Sequence, residues 1–280
     1  MNKPFTPLMD QGVLHILSSG SKGNCCCIET ERELIFIDAG VGVRSLLRFI
    51  GDSGKSVDDA YFFITHEHGD HISGLHKFCQ RFTPKIFASE GTVNSLNWKG
   101  IPRKCLTPIS SGKLYGFPSF CISAFNTSHD AYEPFGYTLT VGESQYGILT
   151  DCGKVTKRLI DAISGVNTLI LEANYDANML ENGPYEERLK KRIASSKGHL
   201  SNLDACNILA RLSGGALREC HFGHVSETNN SYELLDQLAA FCQKSFGVKV
   251  DVLRQRTYYS YRGEQAAVGC IMDNERGDFL

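Results

Sequence analysis

Short apolar runs bounded by turn residues open the chain. Residues 13–17, 25–28 and 34–37 read as strands of a meander. Residues 43–50 carry apolar positions at helical spacing, followed by the turn-rich stretch 51–55 and a strand at 61–64. Helix and strand patterns then alternate: helix 74–81, strand 85–88 and helix 92–98, whose amphipathic spacing sends Trp98 into the core. A second strand-rich stretch follows at 120–125, 136–141 and 146–149. After it come helix 155–163, strand 168–171, helices 187–193 and 202–212, a strand around 217–220, helix 232–243, and final strands 249–253 and 257–261. Strand-rich and helical segments thus recur twice with no break in composition between them. This predicts an α+β chain in which two sheets share one core, with helices on the outer faces and residues 1–280 as one domain.

Composition narrows the function classes. The 280 residues are 42% apolar and 21% charged, ordinary for a globular protein. With 29 basic and 31 acidic residues the net charge is −2, so nucleic acid is not held by bulk positive charge and any such contact needs a local patch. No apolar run reaches the length of a membrane span. Residues 1–9 lack the basic region and apolar stretch of a signal peptide, and a cytoplasmic location is expected. Eleven cysteines do not form a disulfide framework: the number is odd, Cys25, Cys26 and Cys27 are consecutive, and no C-x-x-C occurs. Neighbours on a strand point to opposite faces, so the triplet is expected to be reduced and buried rather than a three-thiol site.

The chemistry is concentrated in Ile64-Thr65-His66-Glu67-His68-Gly69-Asp70-His71, just past a predicted strand. H-x-H-x-D-H would arise by chance in roughly one of two thousand sequences of this composition, which sets aside the reading of histidines scattered on a solvated loop. Imidazole with carboxylate suits zinc, manganese or iron. So short a run does not close a metal site alone, and partners are expected where an ionisable residue follows an apolar strand. His129, Asp151 and His224 meet that description, as does Asp38 earlier; His221 also fits. Taken singly, each is more often a solvated loop residue; beside H-x-H-x-D-H, their recurrence at strand ends points to ligands.

The series Ile37-Asp38-Ala39-Gly40, His66-x-His68-x-Asp70-His71, His129, Thr150-Asp151 and His224 resembles the ordered motif set of the metallo-β-lactamase superfamily. The resemblance implies a four-layer αββα sandwich with two divalent metals at one edge of the sheets. His66, His68 and His129 would hold the first and Asp70, His71 and His224 the second, with Asp151 bridging and Asp38 bracing the loop. His224 is preferred to His221 because His224-Val225-Ser226-Glu227-Thr228-Asn229-Asn230 resembles the last motif of the family. Ser18-Ser19-Gly20-Ser21-Lys22-Gly23-Asn24, Leu171-Glu172-Ala173-Asn174-Tyr175-Asp176, Asn182-Gly183-Pro184-Tyr185 and Lys197-Gly198-His199-Leu200-Ser201-Asn202 resemble the YycJ/WalJ-like branch. That branch comprises bacterial cytoplasmic metallohydrolases that look like 5′-exonucleases on DNA. Tyr175 departs from the histidine expected there.

Such a site would activate water for hydrolysis without a protein nucleophile, Asp70 fixing that water as well as binding metal. Asp in place of the Cys ligand of some lactamases argues against β-lactamase action and leaves zinc or manganese open, with iron a further option. Local features favour a phosphodiester. The start of the helix after Lys197 and His199, capped by Ser201 or Asn202, is suited to a phosphate. His199 could protonate the leaving oxygen or bind a phosphoryl oxygen. Lys197, Asn174 and Asn229 are candidate substrate contacts. Gly20-Ser21-Lys22-Gly23-Asn24 reads either as an anion nest or as a plain turn. Arg188, Lys190, Lys191 and Arg192 with Lys197 form the densest basic stretch, and Tyr132, Phe135, Tyr175 and Tyr185 are available for stacking bases. The leading expectation is a DNA 5′-exonuclease. The alternatives are a small-molecule phosphodiesterase, a lactone or thioester hydrolase, and a metal-binding protein without catalysis.

Overall fold

The computed structural model describes residues 12–262 and the backbone of 265–270. Residues 1–9, in which no signal peptide was expected, lie outside the described residues. The first sheet begins with β1 (Val13–Ser18), β2 (Cys25–Glu29), β3 (Leu34–Ile37), β4 (Ala60–Phe63), β5 (Lys85–Ala88) and β6 (Leu106–Pro108). The second holds β7 (Leu114–Gly116), β8 (Cys121–Asn126), β9 (Phe135–Val141), β10 (Ser144–Leu149), β11 (Thr168–Glu172), β12 (Glu219–Gly223) and β13 (Lys249–Val252). The chain then returns to the first sheet as β14 (Thr257–Arg262) and β15 (Gln265–Cys270), which extend its β1 edge. Each sheet is antiparallel at one end and parallel at the other: β3 to β6 run parallel, as do β10 to β13.

Helices α1 (Val43–Asp52), α2 (Gly69–Ile72), α3 (Leu75–Cys79) and α4 (Glu90–Trp98) accompany the first sheet. Helices α5 (Lys157–Ile163), α6 (Ala177–Asn182), α7 (Glu187–Ile193), α8 (Asn202–Leu212) and α9 (Tyr232–Phe246) accompany the second. Three separate apolar clusters give the layer order. Leu34, Phe36, Phe62 and Ile86 pack outward against Leu46 of α1, Phe78 of α3 and Val93 of α4. Leu169, Leu171, Cys220 and Phe222 pack outward against α5, α8 and α9. Between the sheets Ile16, Ile35, Ile37 and Phe63 meet Ile122, Tyr137, Leu139 and Ile148. The result is the expected αββα sandwich. Strands covered on both faces read as unbroken apolar runs, which is why Leu34–Ile37 carries no polar alternation. The cysteine triplet divides as the strand pleat demands. Cys25 and Cys27 join the helix-side cluster and Cys26 the cluster between the sheets, and burial pushes all three thiols up.

Trp98 corrects an expectation. It is 78% exposed, because α4 buries Thr92, Val93, Ser95 and Leu96 and position 98 falls outside that face. No helix among the described residues is long and apolar enough to cross a membrane.

Candidate metal centre

Site residues occupy the ends of strands, where the backbone leaves the ladder. Asp38 follows β3, His66 to His71 follow β4, His129 follows β8, Asp151 follows β10 and His224 follows β12. Asp38, Asp151 and His224 lie at φ 62°, 55° and 53°, the left-handed region that only the surrounding structure can impose on such residues. Each costs on the order of 1 kcal/mol or more, and strain of this kind gathers at functional sites.

The loops are laced to one another through backbone. Asn24 N–H donates to the Asp70 carbonyl at 2.8 Å, Gly40 N–H to the Asn24 carbonyl at 2.9 Å and Ala39 N–H to the His71 carbonyl at 2.8 Å. A Cβ at Gly40 would stand 1.7 Å from the Asp70 carbonyl oxygen, so only glycine fits the crossing.

Within this frame the imidazoles are fixed by their Nδ1 atoms. His129 Nδ1 donates to the Gly198 carbonyl at 3.0 Å, His71 Nδ1 to Asp38 Oδ2 at 2.7 Å and His224 Nδ1 to Glu172 Oε1 at 3.1 Å. The Thr65 hydroxyl donates to Asp38 at 2.9 Å and accepts from His66 Nδ1 at 3.0 Å. Four Nε2 lone pairs are thereby left as donors to a cation. Four groupings of ligand atoms result, each with all atoms within 4.8 Å of one another: His66, His68 and His129; Asp70, His71 and His224; His66, His71 and Asp151; and Asp151, Glu172, His199 and His224. Asp151 stands between the histidine sets, with Oδ2 3.1 Å from His71 Nε2 and Oδ1 3.5 Å from His224 Nε2 and 3.6 Å from His129 Nε2. His221 is not part of the cluster; it is fully buried and packs on Tyr261 at a ring distance of 4.2 Å.

Electrostatics agrees with a cation site. Burial and the neighbouring imidazoles hold His66 well below the usual histidine range, and burial lowers His68, favouring the neutral form that ligates metal. Burial opposes protonation of His71 and His224, yet carboxylates outweigh it and pull both upward, Asp38 and Asp151 at His71 and Asp151, Asp70 and Glu172 at His224. Asp38, Asp70, Asp151 and Glu172 place four carboxylates in one neighbourhood, and His66 Nε2 and Asp151 Oδ2 are buried with no hydrogen-bond partner. Such a donor set, all nitrogen and oxygen, fits divalent ions.

Glu172, at the end of β11, is the residue that sequence reasoning left without a role. It is fully buried; Oε1 accepts from His199 Nδ1 at 2.7 Å and from His224 Nδ1, while Oε2 accepts from the Cys152 and Leu200 N–H groups at 2.9 and 3.2 Å. It ends a strand like the other site residues, and that signal would have found it. His199 lies against the cluster, its ring stacked on His224 at 5.3 Å. Burial disfavours the protonated form of His199, but the Glu172 carboxylate prevails and raises it.

The expected substrate contacts fare differently. Lys197 is exposed two residues from His199. Asn174 is buried and donates to the His224 carbonyl at 2.8 Å, and Asn229 is fully buried, so both amides lie beneath the surface rather than on it. Ser201 caps α8 as expected. Its N–H donates to Asp204 Oδ2 at 3.1 Å and its hydroxyl oxygen accepts from the Asp204 N–H, which closes the helix start on itself instead of leaving it for a phosphate. The Gly20–Asn24 loop takes the turn reading, with Gly23 N–H on the Gly20 carbonyl at 3.1 Å and Gly20 N–H on Asn24 Oδ1 at 3.0 Å. In the basic stretch Arg192 Nε pairs with Asp130 Oδ2 at 2.6 Å, beside His129, while Lys190 is tied to Glu187 and to the Glu181 carbonyl. Phe135 and Tyr175 are buried, whereas Tyr132 is 67% exposed.

Two facing mixed sheets with a histidine and aspartate cluster at their strand ends define the metallo-β-lactamase class, and the chain belongs to it: the profile of the beta-lactamase superfamily domain matches residues 34–222. Within that class it falls in the WalJ/YycJ branch. It is 32% identical over 248 residues to exodeoxyribonuclease WalJ of Streptococcus pneumoniae, spanning 84% of this chain and 90% of the relative. It is 30% identical over 238 residues to exodeoxyribonuclease YycJ of Bacillus anthracis, spanning 83% and 90%. Among solved structures, the metallo-β-lactamase fold protein YhfI from Bacillus subtilis superposes with a TM-score of 0.66 at 15% identity, covering 88% of this chain and 98% of that one. Zinc-bound PqqB from Methylobacterium extorquens superposes at 0.64 and 14% identity, covering 87% and 98%. At those identities the likeness is one of fold.

Proposed function

We propose that this chain is a metal-dependent exonuclease that hydrolyses DNA from 5′ ends, working in the cytoplasm as a single domain over residues 1–280. The observation that carries the reading is the convergence of His66, His68, His129, Asp70, His71, Asp151 and His224 in one set of overlapping ligand groups, in a chain 30–32% identical to two exodeoxyribonucleases over most of its length. His66, His68 and His129 hold one divalent ion and Asp70, His71 and His224 the other, with Asp151 between them. Zinc and manganese both suit these donors. Ions bound there supply Lewis acidity toward a phosphodiester and an activated water.

The protein's own groups do the rest. Asp38 and Glu172 fix the imidazole tautomers, and the left-handed turns at Asp38, Asp151 and His224 aim their side chains inward. His199, with Nδ1 committed to Glu172, keeps Nε2 for the leaving oxygen, where it delivers a proton or a hydrogen bond. Lys197, two residues away, adds positive charge for the backbone of the substrate.

The test uses protein stripped of metal and reloaded separately with zinc or manganese, given 5′-labelled DNA and RNA beside His68→Ala and Asp70→Asn. Mononucleotide release from DNA 5′ ends, lost in both variants, is the expected result. Turnover of a small chromogenic diester with intact DNA would overturn it in favour of a small-molecule phosphodiesterase.

A further inference from the structure

The largest exposed aromatic surface among the described residues is a pair, Trp98 at 78% and Tyr132 at 67% exposure, with ring centroids 6.4 Å apart and planes at 85°. Two rings at right angles make a corner with aromatic walls. A rigid surface of this kind left open to water is an uncommon feature and marks a place where something flat or apolar docks.

The corner is attached to the metal loop. Tyr132 follows His129 by three residues, so their Cα atoms are at most about 11 Å apart. The Tyr132 N–H donates at 3.0 Å to Oε1 of Glu67, the buried residue between His66 and His68. The other oxygen of Glu67 accepts from the Thr92 hydroxyl of α4 at 3.4 Å, and Glu133 Oε2 accepts from the Gly91 N–H at 2.9 Å. The histidine loop, the segment after His129 and the helix that carries Trp98 are therefore held as one body.

Charge indicates the occupant. Between Glu90 and Asp130 the sequence contains no acidic residue, while Lys99, Arg103, Lys104 and Lys113 all fall there. Lys99, Arg103 and Lys104 are exposed and follow Trp98 directly. On a chain of net charge −2 this is a basic run following Trp98, bounded by Glu90 and Asp130, while Glu133 beside Tyr132 is occupied with the Gly91 N–H. Aromatic rings with lysine and arginine beside them, next to a site for phosphodiester chemistry, are the elements of a single-strand binding platform.

We infer that Trp98 and Tyr132 form a stacking subsite for a nucleobase of the single strand entering the metal centre, with Lys99, Arg103 and Lys104 along its phosphates. The inference rests on the nuclease reading above. Both rings are exposed, so their removal leaves the core untouched.

Trp98 is the only tryptophan, and its fluorescence reports on the corner directly. In zinc-loaded protein a phosphorothioate oligonucleotide should quench this emission, and Tyr132→Ala should weaken the apparent affinity about tenfold, in line with the loss of one stacked base. In steady state Trp98→Ala and Tyr132→Ala should each raise KM for single-stranded DNA about tenfold, with Trp98→Phe restoring most of it. Their kcat/KM should fall far more on DNA than on bis(p-nitrophenyl) phosphate, a diester without bases. DNA cleavage by all variants with the wild-type KM, and no quenching, overturns the subsite and leaves the nuclease reading standing. Wild-type protein inert on DNA overturns the nuclease reading and the subsite with it. Self-association of the wild type that Trp98→Ala abolishes, without a response to DNA, would assign the corner to a second copy and also overturn the proposal.

Discussion

At the residue scale, Glu172 shows how one carboxylate orders a site from behind. Four N–H groups converge on its two oxygens, two of them from imidazoles at the centre. Glu172→Gln keeps the shape but turns an amide NH₂ toward donors. The expected outcome is a loss of about 3 kcal/mol in stability by urea unfolding, together with a 10–100-fold loss of metal affinity in a competition titration; a role in packing alone would move the first and spare the second. Asp70→Asn should lower hydrolysis by more than about a hundredfold and reduce bound metal, read by turnover and by elemental analysis. Away from the site, Glu29 accepts from His15 Nε2 at 3.0 Å and from Lys55 Nζ at 2.7 Å. The His15 hydrogen bond is the main cause that holds its carboxyl at about 2, down from an ordinary 4.5. Because the folded value is the lower one, the stabilisation is present above pH 4.5 and is lost as pH falls toward 2. Glu29→Gln should therefore trail the wild type by about 1–2 kcal/mol near neutral pH, and the gap in urea midpoint should close on acidification.

At the scale of elements, legibility followed length and environment. Leu34–Ile37, Lys85–Ala88, Glu187–Ile193 and Asn202–Leu212 stand where their patterns put them. The sequence motif at 66–71 was readable because five of six consecutive positions carry ligand-type side chains, four of them in the H-x-H-x-D-H pattern, and the strand ends supplied the rest. Helix α6 and strands β6 and β7 had no such signal. Three residues are too few to show a period, and β6 and β7 are strands because β5 and β8 offer them partners. Helix α6 begins at an Asp176 cap that binds the Met179 N–H at 3.0 Å, inside a stretch whose apolar residues do not repeat. Trp98 was misplaced because two residues carry the helix about 200° round, so that Trp98 stands opposite Leu96 on the exposed side of α4. Capping energies can be checked at α8: Ser201→Ala removes the hydroxyl half of its capping box, keeps the backbone N–H bond to Asp204, and should cost about 1 kcal/mol in thermal or urea unfolding.

For the whole molecule, the site is where the two halves meet. Ligand-type side chains from the first sheet (His66, His68, Asp70, His71) face those from the second (His129, Asp151, His224), so a cation bound there would tie the sheets together as well as serve chemistry. Chelation should lower Tm by several degrees, and readdition of metal in hundredfold excess over its Kd should restore about 2.7 kcal/mol, seen by calorimetry at fixed protein concentration. The backbone lacing at Asn24, Gly40 and Asp70 has a different consequence, for how such a chain can vary. Three loops that exchange main-chain hydrogen bonds cannot change length one at a time, since one added residue would slip every bond in the set. Insertions should be accepted at the open turns of Gly54 and Gly214, where nothing crowds the chain. A descendant of this protein that took up new substrates would thus keep its inner loops to the residue and lengthen its rim instead.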